Sequence, residues 1–414
     1  MTADRATAAG TTTAGATAAG ATTGSPTAAA AIPRRALVGI FGGLFCGYTG
    51  LTAVIPVLPV YVRDRYDASD LLVGLTVTAT ALTALLIRPV AGNVADRRGH
   101  RLVMRAGAVI LAIGGAGYFL PIGLGGLLVV RLLLGVGEAA LFTGGAVWTV
   151  SLAPHERRGQ FIGLYGMSMW LGISVGTFLG AALLHVGYGA VWTLSLAAPL
   201  VGLALITSVA APARAAGATS GRGLMLRPAL LPGTALALGA AGYAGLAAFV
   251  ILHLQARGIH SGVVVLSTFS IVYGGTRLVI GRLPDQLGPR RCAALSGLGE
   301  AVGLVIVAVA PDLAIAIIGA VVMGVGFSLL HPSLALMVMN RTDKSRQGAA
   351  LGAYTSFWDL GLAVWGPLTG IVASGFGYPA VFVVGAICAV GASVMALVIP
   401  AAAPLPQPQS VAVG

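Results

Sequence analysis

The amino-acid sequence predicts an all-α membrane protein in which twelve transmembrane helices form two pseudo-symmetric six-helix bundles. Three observations lead to this fold class. The 414 residues are 57% hydrophobic and only 9% charged, whereas soluble domains carry about 25% charged residues. The apolar stretches are long enough to cross a membrane. The second half of the chain repeats the first.

Twelve apolar stretches are predicted to be transmembrane helices. Each is long enough to cross a hydrocarbon core about 30 Å thick as a helix. Their hydropathy is continuous rather than alternating, which favours helices over the shorter strands of a β-barrel. The stretches cover residues 36–60, 71–92, 102–121, 123–149, 159–185, 188–209, 229–254, 262–281, 291–310, 313–339, 347–373 and 377–400.

An internal repeat relates the two halves of the chain at a constant sequence offset, called here the repeat offset. The aligned pairs that define it include Arg88 with Arg277, Gly92 with Gly281, Asp96 with Asp285, Gly99 with Gly288, and Arg101 with Arg290. Two parallel six-span halves imply a pseudo-two-fold axis along the membrane normal. Such halves can rock about a site near the bilayer midplane, which gives alternating access.

The segments outside the spans complete the predicted organisation. Residues 1–33 are a Thr/Ala/Gly-rich stretch without an apolar run and are expected to be a disordered cytoplasmic tail. The first bundle is assigned to 34–209, a cytoplasmic linker to 210–228, the second bundle to 229–400 and a second cytoplasmic tail to 401–414.

The positive charges predict the orientation in the membrane. Eighteen of the 24 Lys and Arg residues fall in the tail and in loops assigned to one side, three in loops on the other side and three within spans. By the positive-inside rule, this asymmetry places both termini in the cytoplasm of a multi-pass protein of the cell (inner) membrane. The net charge of +12 is therefore expected to contact anionic lipid, and a nucleic-acid partner is not expected.

The loop between the second and third spans carries a basic hairpin. It reads GNVADRRGHR over residues 92–101. It resembles the motif found at this position in the major facilitator superfamily of transporters. The residues that match are Gly92, Asp96, Arg97, Gly99 and Arg101, and a degraded copy in the second half retains Asp285 and Arg290.

The resemblance extends over all twelve spans and implies the major facilitator fold. In that superfamily the acidic residue of the hairpin is thought to lie against the N-terminal end of span 11, where the helix dipole favours an anion. It would then hold the outward-facing state. The counterpart here is Asp96 near Gln347 and Gly348. The alternative is a basic loop that only fixes the topology.

Span 4 carries two charged residues, Arg131 and Glu138, in the stretch RLLLGVGEA. This stretch resembles the span-4 motif of the drug:proton antiporters of the superfamily, in which an intramembrane Arg is tied to proton transfer. Charges within spans are costly and usually functional. Because seven residues separate the two side chains, they share one helix face. Proton coupling through Glu138 is one interpretation, and a static salt bridge between helices is the alternative.

Span 5 contains glycines at positions 163, 172, 176 and 180. Gly163, Gly172, Gly176 and Gly180 resemble the antiporter signature of the same family, except that Thr177 replaces its proline and Ala181 its last glycine. The resemblance favours export over import. The alternative is close helix packing through small residues.

Other polar side chains within the spans are candidates for the transport site. Asp359, mid-span 11, is expected to face the cavity and bind a proton or a substrate cation, with pairing to a structural Arg as the alternative. The predicted substrate contacts are Tyr48, Thr52, Tyr243, His331 and Trp358. Arg88 and Arg277 are expected to snorkel to the membrane interface, the alternative being a gate or an anion-attracting funnel.

These features predict a secondary active transporter and not an enzyme. The sequence has no Walker loop and no zinc-type Cys/His spacing, so the expected energy source is the proton gradient and no cofactor or metal is expected. The favoured function is proton-coupled efflux, by antiport, of small amphipathic or drug-like molecules by one functional monomer. The alternatives are a proton symporter or facilitator that imports a sugar or organic acid, and a non-transporting membrane sensor.

Overall fold

The computed structural model describes residues 34–153, 158–209, 226–343 and 346–400. The predicted tails and residues 210–225 of the predicted linker lie outside this range. The regular secondary structure of the described residues is helical throughout. The helices are α1 (Arg34–Thr52), α2 (Leu58–Tyr66), α3 (Asp70–Arg98), α4 (His100–Gly117), α5 (Gly123–Leu152), α6 (Arg158–Leu183), α7 (Tyr188–Ser208), α8 (Leu226–Ala256), α9 (Gly262–Ile280), α10 (Leu283–Leu287), α11 (Pro289–Val309), α12 (Leu313–Met339), α13 (Gln347–Phe376) and α14 (Tyr378–Val398).

The helices coincide with the predicted spans. In the described part of the chain, ten helices are long and apolar enough to cross a membrane. The helices in the positions of spans 1 and 3, α1 and α4, pack among them. Helix α4 carries Arg101 and Arg105 in its first two turns, which lowers its mean hydropathy. The predicted all-α membrane fold is confirmed.

The first predicted span, 36–60, is not one continuous helix. Helix α1 ends at Thr52, residues 53–57 form a turn, and α2 begins at Leu58. Within the turn, Ile55 N–H donates to the Thr52 carbonyl at 3.1 Å. Pro56 has no N–H to donate and therefore cannot continue the α-helical ladder. The prediction of an uninterrupted span was wrong at this point, and the proline was the signal for the break.

The two halves repeat in space with the register seen in the sequence. Helix α4 begins at His100 and α11 at Pro289, and α6 begins at Arg158 and α13 at Gln347. Both pairs of helix starts keep the repeat offset. Each repeat enters the helix after the hairpin through a glycine with positive φ, Gly99 at 103° and Gly288 at 83°, a backbone conformation open mainly to glycine.

The two halves touch closely where α3 meets α13. A Cβ built on Gly74 would collide with the Gly366 carbonyl, and a Cβ on Gly370 would collide with the backbone at Asp70. Glycine is therefore required for this approach. Because α3 and α13 belong to different halves, this contact joins the two bundles on the side of the membrane where α3 begins, opposite the 92–101 hairpin.

Polar side chains reinforce the closure on the side opposite the hairpin. Asp70 forms an ion pair with Arg63 and accepts a hydrogen bond from the Tyr378 hydroxyl at 3.3 Å. Arg63 also donates to the Tyr378 hydroxyl at 3.2 Å. Tyr378 belongs to the second half, so these contacts tie the two halves together at their ends. The interior between the halves is thus closed from this side.

Candidate functional site

A small cavity lies between the two halves near the middle of the spans. Its volume is about 70 Å³, whereas pockets for drug-sized ligands usually measure about 300–1,000 Å³. The structure therefore shows a contracted site. All five predicted substrate contacts lie on its wall: Tyr48, Thr52, Tyr243, His331 and Trp358. Arg88, Arg131 and Glu138 lie on the same wall.

An ion pair between Arg88 and Asp359 joins the two halves beside this cavity. Arg88 on α3 donates from Nε to Asp359 Oδ2 and from Nη2 to Asp359 Oδ1, the latter at 3.0 Å. Asp359 is on α13, and its side chain is 1% exposed. This bidentate geometry is the strong form of a charge-assisted hydrogen bond. The expectation that Arg88 snorkels to the membrane interface was wrong, because its guanidinium is buried and paired.

Glu138 is the second acidic partner of Arg88. The distance between Arg88 Nη2 and Glu138 Oε1 is 3.8 Å. The Tyr48 hydroxyl donates to the same carboxylate oxygen at 3.1 Å. Tyr48, Glu138, Arg88 and Asp359 therefore form a continuous polar chain, called here the ion network. One guanidinium lies between two carboxylates, one from its own half and one from the other.

Arg131 is not part of this chain of contacts. It is 2% exposed, and its Nε donates to the Thr76 carbonyl at 2.8 Å while its Nη2 donates to the Val77 carbonyl. Its Nη1 donates to the Tyr118 hydroxyl at 3.4 Å. Arg131 thus fastens α5 to α3 through backbone acceptors. The shared helix face of Arg131 and Glu138 does not produce a salt bridge between them, and the partner of Glu138 is Arg88.

Aromatic rings form the wall of the cavity contributed mainly by the second half. The Trp170 and Trp358 ring centroids are 5.3 Å apart, and those of Tyr243 and Trp358 are 5.4 Å apart. His331 meets Trp170 edge-on at 5.7 Å. Such rings offer large apolar faces to a ligand at low entropic cost. One side of the site is therefore ionic and the other aromatic.

The hairpin residues lie at the end of α3, away from the cavity. Asp96 and Arg97 are exposed. Arg101 donates to the Thr207 carbonyl at 2.6 Å. Its repeat mate Arg290 donates to the Leu397 carbonyl. Both arginines thereby tie the first turn of the helix after the hairpin to the last helix of their own half.

The remaining hairpin positions make few contacts with the rest of the protein. Gly92 has only the Thr143 methyl group nearby, and Asp285 in the degraded copy is exposed. Burial lowers the pKa of His100 below its usual value of 6.5, so this histidine is neutral at pH 7. The positive charge of the hairpin therefore comes from its arginines.

The glycines of span 5 separate into two groups. Gly172 and Gly176 on α6 pack against the backbone of α1, and Gly180 packs against Ala53 just after it, so that a Cβ at any of the three would collide with that backbone. A Cβ built on Gly163 would meet no atom within 4 Å. Three of the four antiporter-like positions therefore permit a close α1–α6 approach, the structural alternative given above. Helix α6 is continuous over Arg158–Leu183, with Thr177 at the position of the signature's proline.

Glu300 on α11 is an acidic residue outside the cavity. Its side chain is fully buried, and neither carboxylate oxygen has a hydrogen-bond partner among the described residues. It faces Gly239 and Gly242 of α8. In the described part of the chain, no cluster of His, Cys, Asp or Glu is placed to hold a metal ion.

The sequence did not indicate that Arg88 and Asp359 meet. They are 271 residues apart and lie in different halves. In the sequence, pairing with a structural Arg was only the alternative for Asp359, and Arg88 lies near the end of its predicted span, 71–92. Trp170 was also missed, since nothing distinguished it from the other span aromatics.

Comparisons with known proteins identify the family. The Major Facilitator Superfamily (MFS) profile matches residues 40–266 and 233–413. An uncharacterized MFS-type transporter of Salmonella typhimurium is 32% identical over 376 residues, covering 88% of this chain and 96% of its own length. The uncharacterized MFS-type transporter YhhS of Escherichia coli is 33% identical over 356 residues, covering 83% of this chain and 87% of its own length.

Solved structures share the fold. The D-xylose–proton symporter superposes with a TM-score of 0.71 at 15% identity, covering 87% of this chain and 96% of that structure. The human organic anion transporter MFSD10 superposes with a TM-score of 0.66 at 17% identity, covering 88% and 99%. At these identities the likeness concerns the fold alone. The profile match and the two bacterial relatives show that this chain belongs to the Major Facilitator Superfamily and is a multi-pass membrane transporter.

Proposed function

We propose that this transporter exports small amphipathic molecules in exchange for protons, by alternating access to the central cavity. Members of its superfamily are transporters rather than enzymes and need no cofactor. The observation that supports proton coupling is the position of Arg88, which contacts Asp359 of the other half and Glu138 of its own half. A movement of the halves and a change in protonation therefore act on the same three side chains.

The chemistry of the ion network gives the coupling. Two carboxylates share one guanidinium, so one proton brings the group to neutrality. When the halves separate at the cavity, Arg88 leaves Asp359 and retains Glu138, because Glu138 lies in its own half. Asp359 then faces the opened cavity without a cation and takes up a proton, since an unpaired charge in a span is costly. When the halves close on the side opposite the hairpin and open on the hairpin side, Arg88 pairs with Asp359 again and the proton leaves toward the hairpin side.

Asp96 is proposed to latch the hairpin side in the outward-facing state. Helices α3 and α13 run antiparallel, with Gly74 beside Gly366 and Gly370, and Thr78 beside Gly366. The same register, continued along both helices, brings Asp96 level with the first turn of α13, which begins at Gln347. An anion at that helix N-terminus is favourable by about 0.3–1 kcal/mol.

The orientation and organisation follow the charge distribution. We propose that both termini are cytoplasmic and that the protein is in the inner membrane, because the basic residues concentrate on the hairpin side. We also propose bundle boundaries at 34–209 and 229–400, joined by a cytoplasmic linker. One chain then contains the whole cavity and acts as a monomer in contact with lipid.

Transport in proteoliposomes tests this function. The purified protein is reconstituted, an inward or outward pH gradient is imposed, and the flux of a panel of cationic, neutral and anionic amphipathic compounds is measured. We expect at least one compound to move opposite to the protons. Uptake in the same direction as the protons would instead establish symport, and binding without flux would establish a sensor.

Glu138→Gln is the decisive variant. We expect it to lose gradient-driven transport while retaining exchange of substrate for substrate, which needs no net proton movement. Glu300→Gln is the matched control, because it makes the same substitution at a buried acid outside the cavity. Gradient-driven flux by Glu138→Gln at the wild-type rate would remove Glu138 from the mechanism.

A further inference from the structure

The second half contains a buried cation that has no acidic partner. Arg277 on α9 is the repeat mate of Arg88 and is 8% exposed. Its Nη2 donates to the Ser328 carbonyl at 3.1 Å. Its guanidinium lies over the rings of Trp170 and Tyr273, at 5.2 and 5.3 Å from their centroids. No Asp or Glu among the described residues lies within ion-pair distance of it.

The repeat shows what Arg277 lacks. The repeat offset maps Asp359, the partner of Arg88, onto Trp170, and maps Glu138 onto Phe327. The register holds in space, because the Tyr165 hydroxyl donates to the Phe142 carbonyl and the Tyr354 hydroxyl donates to the carbonyl of His331, the mate of Phe142. Where Arg88 has acids at its repeat-related positions, Arg277 has aromatic rings.

Three hydrogen-bond donors are left unused at this place. Arg277 Nε, Trp170 Nε1 and the Tyr273 hydroxyl are all buried and have no partner among the described residues. The Trp170 and Tyr273 rings are 5.0 Å apart. Buried polar groups are normally hydrogen-bonded, and ring faces attract a cation without neutralising its charge. A cation lying over two rings, each with an unpartnered donor, matches a ligand group that accepts hydrogen bonds and carries negative charge.

This donor cluster adjoins the central cavity. Trp170 lies on the cavity wall together with Trp358 and Tyr243, and the two tryptophan rings meet edge to face. The rings provide an apolar surface directly beside the cation. A ligand with an anionic group and an aromatic or aliphatic body would satisfy both features.

We propose that the transported substrate is an amphipathic organic anion, whose carboxylate, sulfonate or phosphate group binds Arg277, Trp170 Nε1 and Tyr273. Its apolar body contacts Trp170, Trp358 and Tyr243. This inference rests on the proposed transport function only in placing the substrate in the central cavity. The ion network around Arg88 is then left free to carry the proton.

Equilibrium binding without any proton gradient tests the inference separately from transport. The probes are 2-naphthoic acid, 2-naphthamide and 2-naphthylmethylamine, with the decyl-chain acid, amide and amine as a second series. Affinity is measured by calorimetry and by thermal stabilisation of the purified protein in detergent at pH 7.5. We expect the carboxylates to bind at least about tenfold more tightly than the amides, the effect of about 1.4 kcal/mol, and the amines to bind most weakly.

Four variants assign the preference to the cluster. Arg277→Gln is expected to abolish the preference for carboxylate over amide. Arg277→Lys keeps the positive charge, is expected to retain part of the preference, and serves as the test variant if Arg277→Gln proves unstable. Trp170→Phe removes the indole N–H but keeps a ring, and is expected to weaken carboxylate binding several-fold. The control is Arg227→Gln, which removes an exposed arginine at the start of α8, and its affinities should equal those of the wild type.

Several results would overturn the assignment. Equal affinities for acid and amide, tightest binding by the amines, or no binding by either carboxylate would each refute an anion site. An unchanged carboxylate preference in Arg277→Gln would show that the anion site lies elsewhere.

Loss of flux in Glu138→Gln with carboxylate binding intact would separate proton coupling from substrate recognition.

Discussion

The sharing of Arg88 between two acids can be measured as a coupling in stability. The perturbation is a double-mutant cycle of Glu138→Gln and Asp359→Asn, in which each variant removes one charge and keeps the side-chain shape. Both carboxylates and the guanidinium are largely shielded, with side-chain exposures of 12%, 1% and 9%. Screening by solvent is therefore weak, and the pair energies are expected to appear in the free energy of unfolding.

The distances give the magnitude. With an effective dielectric constant of about 20, unit charges at 3.0 Å (Arg88 to Asp359) and 3.8 Å (Arg88 to Glu138) attract by about 5.5 and about 4.4 kcal/mol. Either acid thus compensates most of the charge of Arg88. We expect about 1–2 kcal/mol of destabilisation for Asp359→Asn, which also loses charge-assisted hydrogen bonds, and at most about 1 kcal/mol for Glu138→Gln.

The double variant leaves Arg88 buried without an anion. Breaking a buried pair in this way costs about 3–5 kcal/mol, which exceeds the sum of the two single effects, about 1–3 kcal/mol, by about 2 kcal/mol. Adding Arg88→Met to the double variant removes the uncompensated charge and is expected to restore most of the stability.

The assay is unfolding by increasing denaturant in detergent micelles. The wild type, the two single variants and the double variant are measured in one lot of detergent. Independent sites add within about 0.3–0.5 kcal/mol. Additive single effects would therefore show that Glu138 and Asp359 do not share Arg88. Failure of Arg88→Met to rescue the double variant would show that the cost arises from packing and not from charge.

Two further predictions concern the ends of the helices. Asp70→Asn loses the ion pair with Arg63 and weakens the hydrogen bond from the Tyr378 hydroxyl of the other half, so the side opposite the hairpin should open more often. Maleimide labelling of a cysteine introduced at Thr78 in a cysteine-free background is expected to accelerate about fivefold, the equivalent of about 1 kcal/mol. An unchanged rate would contradict the role of these contacts. Gly99→Ala places a side chain at φ 103° and is expected to lower the free energy of unfolding by about 1–3 kcal/mol, which would be seen as a lower Tm. The control is Gly352→Ala, at a position in open space on α13, which should leave Tm unchanged or raise it.

The architecture could be predicted because its signals are local. Continuous apolar stretches of span length leave only helices as an option in lipid, and the constant repeat offset indicated the second bundle. The break in the first span was also local. Pro56 marked it, yet the hydropathy pattern alone runs through the turn at residues 53–57, since hydropathy is insensitive to backbone hydrogen bonding.

The partners of the intramembrane charges could not be predicted, because they depend on which helices meet. The spacing of Arg131 and Glu138 predicted a shared face of α5 but not their partners, and Arg131 reaches the carbonyls of Thr76 and Val77 on α3. Arg88 was judged by its nearness to a span end, while its actual partner, Asp359, comes from the other half. Helix periodicity describes a face and does not specify the neighbour that covers it.

The difference between the repeats bears on how transport is coupled. Two halves with identical chemistry would bind proton and substrate at equivalent places, where the two would compete directly. Here the repeat positions have diverged, so that Arg88 is balanced by acids and Arg277 is surrounded by rings and unused donors. Under the two proposals, the proton belongs to the ion network and the anionic group of the substrate to the Arg277 cluster.

The two sites remain linked through α6 and α13. Asp359 of the ion network lies next to Trp358 of the aromatic wall, and Trp358 contacts Trp170 across the two halves. Under the two proposals, a separation of the halves that takes Asp359 away from Arg88 also moves Trp358, its neighbour on α13, and with it the wall against which the substrate packs. Coupling then needs no direct contact between proton and substrate, because the same separation of the halves breaks the ion pair and opens the aromatic wall.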